Sequence, residues 1–149
     1  MSPEEAYEYA EKHGPSNKTR KIACEDPKFA YWYALEIDKK PREDTRKASC
    51  KDLGYAYYYA YHIDEQPRKD TRNVACKHPA NAYLYARDID KKSRKDTRKV
   101  ACKDPFFAYQ YAKNIDKKFY QETWEAVKNT EFEEEYKNFF NQINKDKII

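Results

Sequence analysis

One block of sequence, DTRKxxCKDPxxAYxYAxxID in its consensus form, recurs along this chain at a fixed interval. The threonines of the block stand 26 residues apart, at Thr19, Thr45, Thr71, Thr97 and Thr123. A period between about 20 and 50 residues is typical of stacked repeat architectures, in which each unit buries its apolar face against the next. The repeat therefore constrains the fold of this chain much more than it constrains the function.

The second half of each block has the period of an amphipathic helix. Asp26 and Pro27 open it in the first complete unit, and aspartate followed by proline is a helix start. The apolar residues that follow are spaced i, i+3, i+4 and i+7: Ala30, Tyr33, Ala34 and Ile37. The pattern predicts a helix from Pro27 to about Lys39, with equivalents in the later units.

A second start signal, at Pro41, Pro67 and Ser93, predicts a shorter helix before each of the later alanine- and tyrosine-rich helices. Short connections imply that neighbouring helices are antiparallel. Isolated helices of about 10–12 residues are marginal in water, so these helices need the next pair for stability. We predict an all-α fold, an α-solenoid of tandem two-helix repeats with a period of 26 and a C-terminal capping helix.

The periodicity predicts one repeat domain over residues 1–149. Its parts are an N-terminal cap (1–18), four repeats (19–44, 45–70, 71–96, 97–122) and a C-terminal cap (123–149). Five apolar residues of the C-terminal cap are expected to turn inward: Phe132, Tyr136, Phe139, Phe140 and Ile143.

The four cysteines stand at one repeat position, as Cys24, Cys50, Cys76 and Cys102. Neighbouring helices pack about 8–10 Å apart, whereas the Cα atoms of a disulfide lie within about 7 Å. We therefore expect reduced, buried thiols and no bound metal or other cofactor. No apolar run approaches the roughly 18–20 residues of a membrane span, and the acidic N-terminus has no apolar signal segment. These features favour a cytoplasmic protein without a membrane partner. Because the open ends of a solenoid can stack, we expect a monomer or a dimer.

Two rows of arginines repeat with the same period: Arg20, Arg46, Arg72 and Arg98, and Arg42, Arg68 and Arg94. With Lys95, in a stretch (91–99) that carries a local charge of +5, they are candidates for binding a nucleic-acid backbone. Aspartates repeat equally regularly, at Asp38, Asp64, Asp90 and Asp116. Ion pairs between the two sets are the simpler interpretation, and the net charge of +4 is mild.

The regular tyrosines are expected in the core, because aromatic residues at helical spacing are usually buried. Trp32, Tyr58 and Tyr61 instead stand at positions that vary between units, and Trp32 and Tyr58 should lie side by side in adjacent repeats. Exposed aromatic residues that the fold does not need commonly anchor protein interfaces. These three residues are therefore the candidates for binding another protein.

Catalysis has little support in the sequence. The three histidines, His13, His62 and His78, fall at different repeat positions, so the symmetry does not bring them together. No catalytic or nucleotide-binding motif is present. We expect a protein that is not an enzyme and has no catalytic residues.

The segment CKDPFFAYQYAKNID and its sister copies, within residues 19–116, resemble short α-helical repeats in uncharacterised proteins of bacteriophages and other large DNA viruses. The resemblance implies a viral protein made in a host cytoplasm, one that binds and blocks a host defence component. Three functions remain open from the sequence: binding a protein, binding nucleic acid, or sequestering a nucleotide or other small molecule in an arginine- and tyrosine-lined groove.

Overall fold

The computed structural model describes residues 1–146, and the side chains of residues 143–146, including the predicted inward-facing Ile143, lie outside the described part. Every regular element in this range is helical. The α-helices are α1 (Pro3–His13), α2 (Asn17–Ala23), α3 (Pro27–Trp32), α4 (Glu43–Ser49), α5 (Leu53–Tyr59), α6 (Lys69–Ala75), α7 (Pro79–Tyr85), α8 (Lys95–Ala101), α9 (Pro105–Tyr111), α10 (Gln121–Val127) and α11 (Glu133–Asp146). Four π-helical segments continue α3, α5, α7 and α9, at Tyr33–Asp38, Ala60–Asp64, Ala86–Asp90 and Ala112–Asp116.

Contacts divide the chain into two compact units, Met1–Lys77 with α1 to α6 and His78–Ile149 with α7 to α11. In the first unit, α5 packs against both α4 and α6, and α3 also packs against α5. In the second unit, α9 packs against α8, α10 and α7 in the same manner. Consecutive helix pairs thus stack as the repeat predicts, and the α-solenoid fold is confirmed.

Side-chain caps begin the longer helices where the sequence indicates. The Asp52 carboxylate accepts hydrogen bonds from the backbone N–H groups of Gly54 and Tyr55, at 2.8 and 3.0 Å. At the equivalent position His78 accepts the N–H of Ala80 through Nδ1, at 3.3 Å. Each cap satisfies backbone donors that have no partner within the helix.

The short helices begin two residues later than the proline signal predicts. Lys39, before Pro41, has left-handed backbone geometry with φ 52°, and Arg42 is extended with φ −136°. Pro41 therefore lies outside the helix, in the reversal between helices, and α4 begins at Glu43. The same offset recurs in α6 and α8, which begin at Lys69 and Lys95.

The predicted helix from Pro27 to about Lys39 has the expected extent, but from Tyr33 onward it is π-helical. A left-handed residue ends each of the four π-helical segments: Lys39, Glu65, Lys91 and Lys117, with φ between 51° and 53°. Such a residue reverses the chain after a helix. The aspartate just before this left-handed residue is the last residue of the π-helical segment. Asp64 and Asp116, two of these aspartates, contact an arginine of the short helix that precedes the segment.

Alanine and tyrosine form most of the core. Tyr33, Tyr59, Tyr85 and Tyr111 have no exposed surface, and neither do the alanines beside them. Small alanines let the helices approach closely, while the tyrosine rings fill the space between them. In the C-terminal cap, Tyr136 and Phe140 are buried as predicted, whereas Phe132 and Phe139 are half-buried.

Candidate functional site

The first arginine row lies inside the repeats. Arg46 is 7% exposed and forms a bidentate ion pair with Asp64, with Nε–Oδ2 and Nη2–Oδ1 distances of 2.9 and 2.6 Å. Arg98 pairs with Asp116 in the same geometry, at 2.8 and 2.7 Å. Paired, charge-assisted bonds of this kind are among the strongest polar contacts in proteins. Each pair ties a short helix to the end of the π-helical segment that follows it.

Arg20 has a related arrangement with two carboxylates. Its Nη1 lies 3.5 Å from Asp38, and its Nε donates to Asp44 at 2.9 Å. Arg72, the remaining member of the row, is half-buried. A phosphate would have to displace the carboxylates that hold Arg20, Arg46 and Arg98, so this row fits the ion-pair interpretation.

Tyrosine hydroxyls make a second, parallel set of polar contacts. The Tyr59 hydroxyl lies 2.8 Å from the Thr45 hydroxyl, accepts the N–H of Arg42 at 2.9 Å and donates to the Arg42 carbonyl at 3.0 Å. Burial raises the pKa of Tyr59 above its ordinary value, which keeps the hydroxyl protonated. This hydroxyl completes the start of α4, which has no side-chain cap from Arg42. The threonine that marks the repeat is therefore a structural partner of the core tyrosine.

The second arginine row lies nearer the surface. Its Nε atoms approach aspartates in three pairs: Arg42–Asp38 at 3.1 Å, Arg68–Asp70 at 3.7 Å and Arg94–Asp96 at 3.1 Å. The side chains of Arg68 and Arg94 are 42% and 33% exposed. Of the two rows, this one is the more accessible to a ligand.

An open depression in the second unit collects the basic residues around Arg94. Its lining consists of Lys92, Ser93, Arg94, Lys95, Asp96 and Lys99. The equivalent depression in the first unit is lined by Pro41, Arg42, Glu43, Asp44 and Lys47. Over equivalent positions the net charge is +3 in the second unit (92–96 and 99) and +1 in the first (40–44 and 47).

The predicted protein-binding residues belong to a larger aromatic cluster in the first unit. We use the term aromatic cluster for seven rings: Tyr31, Trp32, Tyr55, Tyr57, Tyr58, Tyr61 and His62. Tyr31 is the centre, because its ring centroid lies 5.2 Å from that of Trp32 and 6.1 Å from that of Tyr58. Tyr58 stacks on His62 at 6.1 Å, and the His62 and Tyr61 rings are 4.9 Å apart. The structure therefore brings Trp32, Tyr58 and Tyr61 into one cluster.

A hydrogen bond fixes the middle of the cluster. The Tyr31 hydroxyl lies 2.8 Å from Nδ1 of His62, which joins one repeat to the next within the first unit. Tyr31 is 5% exposed, whereas Trp32, Tyr58 and Tyr61 are 37%, 46% and 47% exposed. A buried, hydrogen-bonded centre thus supports an outer layer of accessible rings.

Repeat equivalence shows that the solenoid does not require these outer rings. Two repeats after Tyr58 the same position is Gln110, and two repeats after Tyr61 it is Lys113. Both lie in regular helical structure in the second unit. The aromatic cluster is thus a local property of the first unit rather than a consequence of the repeat.

A groove runs beside the aromatic cluster and shares His62 with it. Its lining consists of Ala34, Leu35, Lys39, Lys40, Pro41, His62, Ile63 and Glu65. Ala34 is fully buried, while Leu35 and Ile63 are half-buried and pack on Tyr31, Ala34 and Tyr59. The groove therefore has an apolar lining and a charged rim.

The cysteines are free, as expected, but they are half-buried rather than fully buried. Burial raises the pKa of Cys24 and Cys50 to about 11 and that of Cys102 to about 12. A thiol reacts as the thiolate, so these cysteines have little reactivity near neutral pH.

At pH 8 we expect iodoacetamide to alkylate Cys24 and Cys50 of the folded protein about 200-fold more slowly than the same residues of the urea-unfolded chain. The thiolate fraction is about a quarter for an ordinary cysteine and about one in a thousand at a pKa of 11. Mass spectrometry of the alkylated protein over time measures both rates. Equal rates in the folded and unfolded protein would contradict the burial of the thiols.

Fold and surface together define an α-helical repeat protein with an exposed aromatic cluster in its first unit. Comparison of the chain with protein families, with curated proteins and with solved structures finds no match. Among the side chains described, no group of three or more histidine, cysteine, aspartate or glutamate residues is arranged to hold a metal ion. In the described range no helix combines the length and apolar character needed to cross a membrane.

Sequence reasoning missed three residues that shape this surface. His62 belongs to the aromatic cluster, and Leu35 and Ile63 line the groove. Leu35 and Tyr61 stand at the same position of adjacent repeats, and the residue at this position varies along the chain. That variation is the sequence signal that could have indicated the groove.

Proposed function

We propose that this protein is a non-catalytic binding module that engages another protein through its aromatic cluster. The observation that carries the proposal is the clustered exposure of Trp32, Tyr58 and Tyr61 at two repeat positions that hold no aromatic residue in the second unit. Tryptophan and tyrosine dominate the energetic centres of protein interfaces, because they bury much surface and lose little conformational entropy. A ring layer fixed from below by the Tyr31–His62 hydrogen bond is already organised for contact.

The test replaces Trp32 and Tyr58 with glutamine, the residue that the repeat holds at position 110. Immobilised wild-type protein and the Trp32→Gln/Tyr58→Gln variant are incubated with a lysate of the native cells, and retained proteins are quantified by mass spectrometry. We expect proteins that the wild type retains and the variant loses. Gln110→Ala, at the same helix position in the second unit, is the matched control and should retain them. Identical retention by all three proteins would contradict the proposal.

Nucleic-acid binding is the second candidate, and the lysine-rich depression around Arg94 is the observation that favours it. It ranks lower because three arginines of the first row are held in ion pairs and Arg94 itself lies 3.1 Å from Asp96. The small-molecule sponge, the viral origin, the inhibition of a host defence component and the cytoplasmic location stay predictions from the sequence.

A further inference from the structure

The groove beside the aromatic cluster combines an apolar lining with cationic groups. Leu35 and Ile63 are its partly exposed aliphatic side chains, and the buried Ala34 lies between the helices beneath them. Lys39 and Lys40 lie on its rim and are exposed. Among residues 1–142, whose side chains the structure describes, neither lysine forms an ion pair. Two exposed cations therefore border a groove whose lining includes the aliphatic side chains of Leu35 and Ile63.

Backbone geometry fixes where the first of these charges lies. Lys39 has φ 52° and ends the π-helical segment Tyr33–Asp38, so the reversal holds its Cα at the groove. The next repeat has Glu65 at the equivalent position with φ 51°, followed by Gln66. The turn thus accepts either charge, although lysine pairs recur at 91–92 and 117–118. Leu35 is what distinguishes the first unit, because no other repeat has an aliphatic residue at its position.

We propose that this groove binds an acidic protein segment, which places one aromatic or aliphatic side chain between Leu35 and Ile63 and its carboxylates against Lys39 and Lys40. The inference rests on the proposed function, because the aromatic cluster and the groove share His62 and form one surface. Complementary charge selects the partner and its orientation, while the apolar anchor supplies most of the affinity.

The lining favours a peptide over a nucleic acid. The aliphatic side chains of Leu35 and Ile63 offer no ring on which a nucleic-acid base would stack. The phosphates of a nucleic acid would also meet the negative charge of Glu65 on the same rim. A peptide can place its carboxylates toward the lysines and an uncharged residue beside Glu65. The chemistry of the groove therefore points to a segment with alternating acidic and apolar residues.

The experiment selects binders from a random peptide library displayed on phage against the immobilised full-length protein. We expect the selected peptides to be richer in aspartate and glutamate than the unselected library and to share one aromatic or aliphatic position. Selected peptides without acidic enrichment, or displaced from the protein by single-stranded oligothymidylate, would overturn the inference.

Variants locate the site of the selected peptides. Lys39→Glu/Lys40→Gln copies Glu65 and Gln66, and should weaken binding in fluorescence polarisation by about tenfold or more, because it places like charge against the peptide. Lys91→Glu/Lys92→Gln makes the same change in the second unit and should leave the affinity within about twofold. Equal weakening by both variants would indicate nonspecific attraction and overturn the inference.

One further variant separates the two proposals. If peptides lose affinity for Trp32→Gln/Tyr58→Gln but not for Lys39→Glu/Lys40→Gln, the groove is not their site and the inference is wrong, while the aromatic cluster remains a binding surface. If they retain affinity for both variants, the peptide data contradict the inference and the proposed function together.

Discussion

Replacing Arg46 with alanine is expected to lower the free energy of unfolding by about 3–5 kcal/mol. The change removes three hydrogen bonds to Asp64, whose side chain is 1% exposed, and leaves a buried carboxylate without its counter-ion. Desolvation of an unpaired charge, rather than loss of the attraction alone, makes this effect large. Urea unfolding followed by circular dichroism measures the change.

Arg94→Ala is the matched control from the second arginine row. Its partner, the side chain of Asp96, is 57% exposed, and ion pairs in water contribute about 0–1 kcal/mol. A large loss for Arg46→Ala with a small loss for Arg94→Ala would establish that the first row is structural. Losses of similar size in both variants would contradict the difference that burial implies.

The second large effect is expected from Tyr111→Phe, which removes a single oxygen from the core. The Tyr111 hydroxyl lies 2.7 Å from the Thr97 hydroxyl, accepts the N–H of Arg94 at 3.0 Å and donates to its carbonyl at 3.1 Å. Without this hydroxyl, the Thr97 hydroxyl and the backbone N–H of Arg94 lose a buried hydrogen-bond partner. The loss should lower the free energy of unfolding by about 1–3 kcal/mol.

The control for this variant is Tyr61→Phe, since Tyr61 is 47% exposed and lies outside the core. Its effect should stay within about 0.5 kcal/mol. If Tyr111→Phe proved equally harmless in urea unfolding, the tyrosine–threonine contact would not contribute to the stability of the repeat.

Much of the fold follows from local sequence chemistry. Asp52 and Asp104 accept backbone N–H groups as their N-cap positions predict, and the tyrosines at i+3 positions are buried. The caps and the helical spacing depend on residues within one or two helical turns, so the sequence of a single repeat is enough to predict them. For Arg46 and Arg98 the sequence is compatible both with ion pairs and with ligand binding, because a repeating pattern does not show which charged residues are buried.

Other features were not predictable from periodicity. The π-helical segments carry the same apolar pattern as an α-helix over five or six residues, so a spacing argument does not separate them. The start of α4 at Glu43 depends on the left-handed geometry of Lys39, a residue type that rarely adopts it. The groove could not be predicted, because Leu35 and Ile63 in its lining come from two different repeats. Only the packing of those repeats brings the two side chains to one groove.

The central claim is that the aromatic cluster serves binding rather than stability, and urea unfolding of the Trp32→Gln/Tyr58→Gln variant tests it most directly. Because both side chains are already more than a third exposed, the account predicts a loss of less than about 2 kcal/mol in the free energy of unfolding. A loss of about 3–5 kcal/mol, as for removal of a core aromatic residue, would show that the rings belong to the core and would contradict the account.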